Sequence, residues 1–372
     1  MDSLLNTTFQ RQKPVFKKTP DEALFQKMKK RVLARVHELE PRRRPLIIIK
    51  ALLFPLIYIG AYLSALAWGA HRAVLYGAYL TMGLFLVVIF QNQIHDAVHG
   101  SLWRKKWLNE TYVHFFDLMG ANSFVWRARH VRLHHNFPNV MGWDSDIEQS
   151  PLARIFPHGP FKAWHRYQQI YLPMLYPLYL FNWLLVRDFK DYFMRSRPVW
   201  KVIRIPWLEY VKLFFFKTFF LGYTIVLPKY VLGLDWLDIA GAFMVLLFSA
   251  SIFSLLILLS PHANTENNFP LPDGQGRLPY PWFEHQLRHT NDVTQDNWFT
   301  RFFLGCFNYH VAHHLFPSIN HVYYPEITAI IREEAAQSHL PYRAFPLGKT
   351  LWDHYRLLKR NGAEEDIFEE VM

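Results

Sequence analysis

The chain has 372 residues, of which 51% are hydrophobic and 17% aromatic, and its formal net charge is +11 at neutral pH. Long apolar runs alternate with charged segments, which favours one membrane domain with cytoplasmic parts over two soluble domains. The single cysteine, Cys306, excludes an intrachain disulfide and an iron–sulfur cluster held by cysteines of one chain. Because the positive charge lies beside apolar spans, it points to anionic lipid headgroups rather than nucleic acid.

Residues 1–45 are predicted to form a basic cytoplasmic arm and an amphipathic helix. They contain 12 Lys/Arg against 5 Asp/Glu and lack the apolar core of a cleaved signal peptide. We expect residues 1–18 to be disordered and a helix to begin at Thr19 and Pro20, which supply an N-cap and a first-turn proline. Its apolar face either lies on the cytoplasmic leaflet or packs against the protein's own cytoplasmic parts.

Four segments approach or exceed the ~20 residues that a bilayer core requires. These predicted spans are residues 46–68, 73–94, 207–228 and 239–260. The long interval after the second span and the N-terminal arm carry most of the Lys/Arg, so positive-inside reasoning places both termini in the cytoplasm. We interpret Lys217, inside the third span, as a lysine that reaches toward the interface.

A fifth segment, residues 167–186, is also uncharged and long enough to cross. Two prolines, two glutamines and an asparagine weaken it as a span. If it crossed, the histidine motifs on its two sides would lie on opposite faces of the membrane. We therefore predict one or two helices that lie in the interface.

Three short motifs, HDAVH, HVRLHH and HVAHH, are dense in histidine. Their histidines are His95 and His99, His130, His134 and His135, and His310, His313 and His314. The spacing predicts that each motif presents its imidazoles on one side of a helix, as nitrogen ligands for a metal. Eight imidazoles exceed the needs of one metal and suit two. No cysteine lies in the motifs, so iron leads, while zinc, copper and manganese stay open.

His262 is a ninth candidate ligand, although it belongs to none of the motifs. It follows the fourth span directly, at the depth where His95 follows the second. An unpartnered imidazole at that boundary gains little, whereas a metal supplies a reason for it.

The motifs HDAVHG, HVRLHH and HVAHHLFP resemble the three histidine boxes of the membrane fatty acid desaturase family. The resemblance is closest to the bacterial linoleoyl-CoA-desaturase-like and front-end branch, and covers roughly residues 46–360, followed by an acidic tail over 361–372. It extends to NFPNVMGWDSDIE, HQLRHTND and HHLFPSINHVYYPEI. His310, Ala312 and Arg288 depart from the residues usual in the front-end branch, which bears on the substrate and the double-bond position but not on the metal site.

The resemblance implies an all-α integral membrane fold, with four transmembrane helices and a cytoplasmic helical cap that holds two iron ions. It implies that dioxygen is used to introduce a double bond into a long acyl chain carried on CoA, a carrier protein or a phospholipid. It also supports His262 as a ligand. The sequence contains no haem-binding HPGG segment and no flavin fingerprint, so we expect a separate ferredoxin or cytochrome b5 type donor with its reductase. The expected location is the bacterial inner membrane, or the endoplasmic reticulum in a eukaryote.

Further polar residues are candidates for orienting the ligands or meeting the substrate. They are Asp96, Asn139, Asp144, Asp146, His285 and His289. We interpret His37, His71 and His354 as ordinary histidines.

Two other functions are compatible with the histidine motifs and the apolar spans. A lipid hydroxylase of the same superfamily would share the boxes, and a histidine-rich metal transporter would carry ionisable residues inside its spans.

Overall fold

The computed structural model describes residues 12–17 and 21–363. The predicted helix start at Thr19 and Pro20 and the acidic tail beyond residue 363 lie outside the described residues. The prediction of a disordered arm is wrong for residues 12–17. The Val15 amide donates to the Gly276 carbonyl, and the Phe16 ring stacks on Phe137 with 5.8 Å between centroids.

The described chain is built almost entirely of helices. They are α1 Asp21–Trp68, α2 Arg72–Val98, α3 Lys106–Leu118, α4 Ser123–Arg127, α5 Gln168–Leu175, α6 Tyr179–Asn182, α7 Asp188–Phe193, α8 Trp207–Leu232, α9 Trp236–Leu258, α10 Trp282–His289, α11 Trp298–Phe302, α12 His310–Leu315, α13 Tyr324–Gln337 and α14 Leu347–Gly362. Two-residue strands, β1 Asp292–Val293 and β2 Ala344–Phe345, pair in parallel.

Short stretches of other helical types interrupt or extend these helices. The π-helical turns are Phe90–Ile94 within α2, Ala128–His134 after α4, Trp183–Arg187 between α6 and α7, and Gly222–Val226 within α8. The 3₁₀ turns are Ala163–Tyr167, Tyr176–Leu178, Pro198–Lys201 and His321–Tyr323.

Four helices in the described part of the chain, α1, α2, α8 and α9, are long and apolar enough to cross a membrane. This confirms the prediction of a mostly helical protein with four segments that are long and apolar enough to span. Apolar side chains such as Leu56 and Leu237 point outward from them, with Leu237 84% exposed, as a lipid environment requires. At the centre, α2 and α9 approach closely, because any Cβ at Gly83 would clash with the Leu246 carbonyl.

The first span and the amphipathic segment before it form one continuous helix. At 48 residues, α1 is about 72 Å long, more than twice the thickness of the bilayer core. Its N-terminal half packs against α13, where Met28 and Val32 are fully buried and Lys27 lies 3.3 Å from Glu334. The apolar face of this segment therefore packs against the protein itself, which is the second of the two alternatives given above.

Residues 163–193 form a chain of short helices rather than one long helix. Proline lacks the N–H that continues a helical ladder, and Pro173 and Pro177 lie where the segment changes from α to 3₁₀ geometry. One face is exposed and apolar, with Met174 75% exposed, while Leu172 and Leu180 face inward and are buried.

A buried ion pair fastens this segment to α8. The Lys217 ammonium donates to the Asp188 carboxylate at 2.7 Å and to the Gly120 carbonyl at 2.5 Å, and both charged side chains are buried. The interpretation that Lys217 reaches toward the interface is wrong, because a carboxylate on α7 partners it inside the protein. Breaking one side of such a pair leaves an uncompensated buried charge.

Candidate metal centre

The three histidine motifs and His262 meet at one end of the helix bundle. They form two adjoining groups, in each of which the possible ligand atoms lie within 4.8 Å of one another. The five-histidine group consists of His95, His99, His130, His135 and His313, and the four-histidine group of His134, His262, His310 and His314. All nine predicted ligands are thus brought together, and both groups fit a metal site.

The second motif is divided between the groups, contrary to the expectation that it presents three imidazoles on one side of a helix. Its backbone is a π turn, in which the His135 amide donates to the His130 carbonyl at 3.0 Å. A π turn aligns residues five apart, so the Nε2 atoms of His130 and His135 meet at 3.1 Å. His134 points the other way, into the four-histidine group.

The third motif is also divided, but by ordinary helical spacing. His310 and His314, four residues apart on α12, enter the four-histidine group, and His313 enters the other group. His262, which follows the end of α9, completes the four-histidine group. Its Nε2 lies 2.8 Å from that of His310 and 3.0 Å from that of His314.

These separations suit nitrogen ligands of one metal. Two imidazole nitrogens bound about 2.0–2.1 Å from an ion, at 90–109° to each other, lie roughly 2.9–3.4 Å apart. Hydrogen bonds on the far side of the rings fix where the protons are. His262 donates Nδ1–H to the His289 carbonyl at 2.9 Å, and His314 donates Nδ1–H to the Gln286 amide oxygen at 3.1 Å. In the neutral rings both Nε2 atoms then carry lone pairs that face each other, a repulsion that a bound cation removes.

Carboxylates hold further ligands in the same way. His134 donates Nδ1–H to Asp144 at 2.9 Å, and His130 donates Nδ1–H to Asp146 at 3.0 Å. Metal-binding histidines generally donate their outer N–H to such an acceptor, which fixes the tautomer and the ring orientation. In the five-histidine group, His313 Nδ1 lies 3.2 Å from the Tyr324 hydroxyl.

Burial keeps most of these rings neutral, the state in which they ligate. It lowers the pKa well below the usual range for His99, His135, His262, His310, His313 and His314. Burial also lowers the pKa of His130, against the opposing pull of Asp146. For His134 burial is outweighed by the Asp144 carboxylate, which raises the pKa.

The other candidate residues surround the groups without entering them. Asp96 contacts His321, at 2.6 Å, and Asn320 rather than a histidine of the boxes. Asn139, at φ 59°, donates its side-chain amide to the His262 carbonyl at 3.2 Å and so joins the second motif to this ligand. His285 donates to the Pro138 carbonyl at 3.0 Å.

The side chains of His289 and Arg288 contribute less to the histidine groups than their place in the sequence motif suggests. His289 donates its own Nδ1–H to the His285 carbonyl at 2.6 Å and acts on the centre through its backbone carbonyl, which His262 contacts. Arg288 forms an ion pair with Glu284 at 2.7 Å and contacts none of the nine histidines.

Two residues that support the ligands were missed. Gln286 holds His314 through its oxygen and donates its NH₂ to the His135 carbonyl at 2.9 Å, so it bridges both groups. It lies inside HQLRHTND, between His285 and His289, where a glutamine carries no metal-ligand signal of its own. Tyr324 follows the third motif by ten residues, and no local spacing rule connects them.

An apolar cavity of about 420 Å³ ends at the histidines. Histidines of both groups line it, namely His95, His130, His134, His262 and His310. Much of the remaining wall is aliphatic or aromatic, contributed by α9 and by the 147–187 segment. His354, which we interpreted as ordinary, also lines it, donates Nδ1–H to the Ala263 carbonyl and accepts from the Tyr176 hydroxyl. Such a cavity has the size and polarity of a site for an apolar ligand.

Comparison with known proteins agrees with this geometry. The sequence model of the fatty acid desaturase family matches residues 73–346. The chain belongs to the fatty acid desaturase family. It is 32% identical to an acyl-lipid (8-3)-desaturase of Physcomitrium patens, over 88% of this chain and 69% of the relative. It is 28% identical to an sn-1 linoleoyl-lipid 6-desaturase of Synechocystis sp., over 88% of this chain and 91% of the relative.

The resemblance to bacterial and front-end desaturases is therefore confirmed, and the protein is a membrane fatty acyl desaturase, an oxidoreductase that acts on fatty acyl chains. The metal transporter alternative does not fit this family. The histidine groups fit a metal site in this family, and the apolar cavity lies directly beside them.

Proposed function

We propose that this desaturase binds two iron ions, one in each histidine group, and uses dioxygen to introduce a double bond into a long acyl chain. The observation that carries the proposal is the pair of facing lone pairs on His262 and His314, together with buried nitrogens of His99 and His313 that have no hydrogen-bond partner among the described residues. Nine nitrogen donors match two ions, and the family favours iron. When bound, iron supplies the activation of dioxygen that an unactivated C–H bond requires.

The protein's own contribution is to position the chain and exclude water. The acyl chain lies in the apolar cavity, where each buried CH₂ contributes about 0.8 kcal/mol. Because His95 and His130 of one group and His134 and His262 of the other line the same cavity, one methylene pair can face both metals. Asp144, Asp146 and Gln286 keep the rings aimed at the ions.

The substrate is a long acyl chain on CoA, a carrier protein or a phospholipid. Four apolar side chains line the cavity and are also 37–45% exposed, so the cavity opens between them: Leu152, Leu175, Leu178 and Phe181. The outward face of residues 163–181 is apolar, which supports a position in the membrane interface. A separate ferredoxin or cytochrome b5 type donor, with its reductase, supplies the electrons.

The proposal includes four crossings with both termini and the metal centre in the cytoplasm, the side on which positive-inside reasoning places the basic arm and the long interval after the second span. His135 and His314 contact each other, with ring centroids 4.6 Å apart, so an even number of spans must separate them, and α8 and α9 are those two. A reporter fused after Val186 should report cytoplasm. An exported reporter would overturn the interfacial position of residues 167–186.

The deciding experiment combines metal analysis with a lipid profile. Purified protein made under iron-replete conditions should carry two irons per chain, and expressing cells should gain acyl chains lighter by two hydrogens. Stoichiometric zinc without iron would defeat the di-iron proposal. A product heavier by one oxygen would identify a hydroxylase of the same superfamily.

A further inference from the structure

A second cleft reaches the metal centre from a different direction. It encloses about 390 Å³ and shares no lining residue with the acyl cavity. His99 lies at its inner end, and Gly100, Lys106, Arg127 and Arg132 contribute to its walls. His99 is half-buried, whereas the other eight histidines of the two groups are buried. The five-histidine group therefore approaches the protein surface at this cleft while substrate fills the cavity.

The rim of the cleft is positively charged. Lys106 and Arg132, which line it, are exposed, as is Lys105 next to Lys106 in the sequence, and neither lysine forms an ion pair with a described residue. Glu110, the acidic residue in the wall, is already paired with Arg127 at 2.6 Å. Charges arranged in this way attract an acidic surface and accelerate its association.

Desaturation needs electrons that the acyl chain does not supply. Each turnover converts –CH₂–CH₂– with O₂, two electrons and two protons to –CH=CH– and two waters. Two C–H bonds and the O–O bond break, and dioxygen is reduced by four electrons. Two of these four come from the acyl chain and two from outside. No cysteine lies in the histidine motifs, and the sequence has no flavin fingerprint. A separate carrier, as proposed above, would deliver the two outside electrons most directly at a surface close to a ligand and apart from the acyl cavity.

We propose that this cleft, lined by Lys106, Arg127 and Arg132 and adjoined by Lys105, the exposed sequence neighbour of Lys106, docks a small acidic protein that carries one electron at a time on an iron–sulfur or haem centre. His99 is the point of entry, since it joins the cleft to the five-histidine group. The proposal rests on the proposed function above and adds the location and chemistry of the electron partner's binding surface.

The test reverses the charge of the two lysines in a Lys105→Glu/Lys106→Glu double variant of the full-length protein. Both residues lie at the N-terminal end of α3, where acidic side chains favour the helix dipole, so the substitutions do not disfavour the helix. The matched control is Lys29→Glu/Lys30→Glu, another adjacent exposed pair, on α1 and outside the cleft, with the same change in net charge. Turnover is measured with an acidic [2Fe–2S] ferredoxin, with a soluble cytochrome b5 domain, and with dithionite and methyl viologen as a chemical reductant.

With the better of the two carriers, we expect the KM for the carrier to rise at least about tenfold in the cleft variant and to lose most of its dependence on salt. The control should resemble the unmodified protein, and both variants should keep their iron and their turnover with the chemical reductant. An equal KM in the two variants would overturn the proposal. So would loss of chemically driven turnover in the cleft variant, or an enzyme that the chemical reductant drives but neither carrier does. Absence of a desaturated product under every condition would instead refute the proposed function.

Discussion

The two histidine groups differ in how firmly the protein holds them. In the four-histidine group every ring is buried, and His134, His262 and His314 each donate Nδ1–H to an oxygen acceptor. The five-histidine group has two such anchors, at His130 and His313, and the second is long. His99 of that group also lies against the surface cleft.

The difference indicates a division of labour within one centre. A site with anchored ligands resists rearrangement, because moving a ring also breaks its outer hydrogen bond. A site that lies against a surface cleft is better placed to receive electrons from outside, because the distance to a carrier is shorter. Both groups line the acyl cavity, so the division concerns rigidity and access rather than contact with the substrate.

The strongest test of the anchored group is His134→Ala. We expect turnover to be abolished and the four-histidine group to lose its metal, because the substitution removes one of four ligands and strands Asp144. The variant should still insert in the membrane, since the spanning helices lie elsewhere. Iron per chain, product and membrane fractionation are the measurements, and full iron with normal turnover would remove His134 from the site.

His262→Ala should have nearly as large an effect, with preferential loss of one of two irons and of turnover. His37→Ala is the control, because His37 is exposed on α1 and is far in sequence from every motif. Iron content that stays at two per chain in His262→Ala would leave eight ligands and weaken the comparison between the groups.

The carboxylates allow the groups to be compared directly. Asp144→Asn and Asp146→Asn each weaken the acceptor behind one histidine, His134 and His130 respectively. We expect Asp144→Asn to lower turnover and iron retention about 10–100-fold. Asp146→Asn should cost less, because Asp146 is half-buried whereas Asp144 is buried and also accepts from the Asn139 amide. Rates of iron loss to a chelator report the order, and the reverse order would contradict the greater rigidity of the four-histidine group.

The smallest effect should come from Tyr324→Phe, which removes the hydroxyl beside His313. A neutral hydrogen bond contributes about 1 kcal/mol, or roughly fivefold in an equilibrium constant. Because this contact is 3.2 Å long, turnover should fall at most about fivefold. Steady-state rates with chemical reductant measure it, and complete inactivation would mean that the five-histidine group depends on its anchors as much as the other group does.

Eight of the nine histidines and the four long apolar helices can be predicted because both leave local signals: clusters of metal-binding residues and long uninterrupted apolar runs. His262 could be predicted only from its place directly after the fourth apolar run. The directions of the histidine side chains within the second motif were predicted wrongly, because the prediction used α-helical spacing. The turn at Ala128–His134 is instead π-helical, and the spacing of the histidines does not indicate it. The separation of His134 from His130 and His135 therefore could not be predicted from the residue pattern.

Contacts between residues far apart in the sequence could not be predicted either, because they form only when the helices pack together. From the sequence alone, Lys217 is expected to extend toward water. In the fold it instead pairs with Asp188, which is 29 residues away in the sequence. No local sequence signal marks Gln286 as a support for the ligands. It contacts His314 only because α10 packs beside α12 in the fold. Residues 12–17 read as polar and disordered, yet Phe16 finds an aromatic partner more than a hundred residues later.

The scattered origin of the ligands has a consequence for how the enzyme is made. His95 and His314 are 219 residues apart, and each group needs a histidine from the last motif. At 5–20 residues per second, roughly 10–45 s of synthesis separate the first ligand from the last. All four spans have been synthesised by then, so membrane insertion precedes the completion of either site. Iron shortage should therefore yield inserted, folded, metal-free enzyme that later iron can activate, without new protein synthesis.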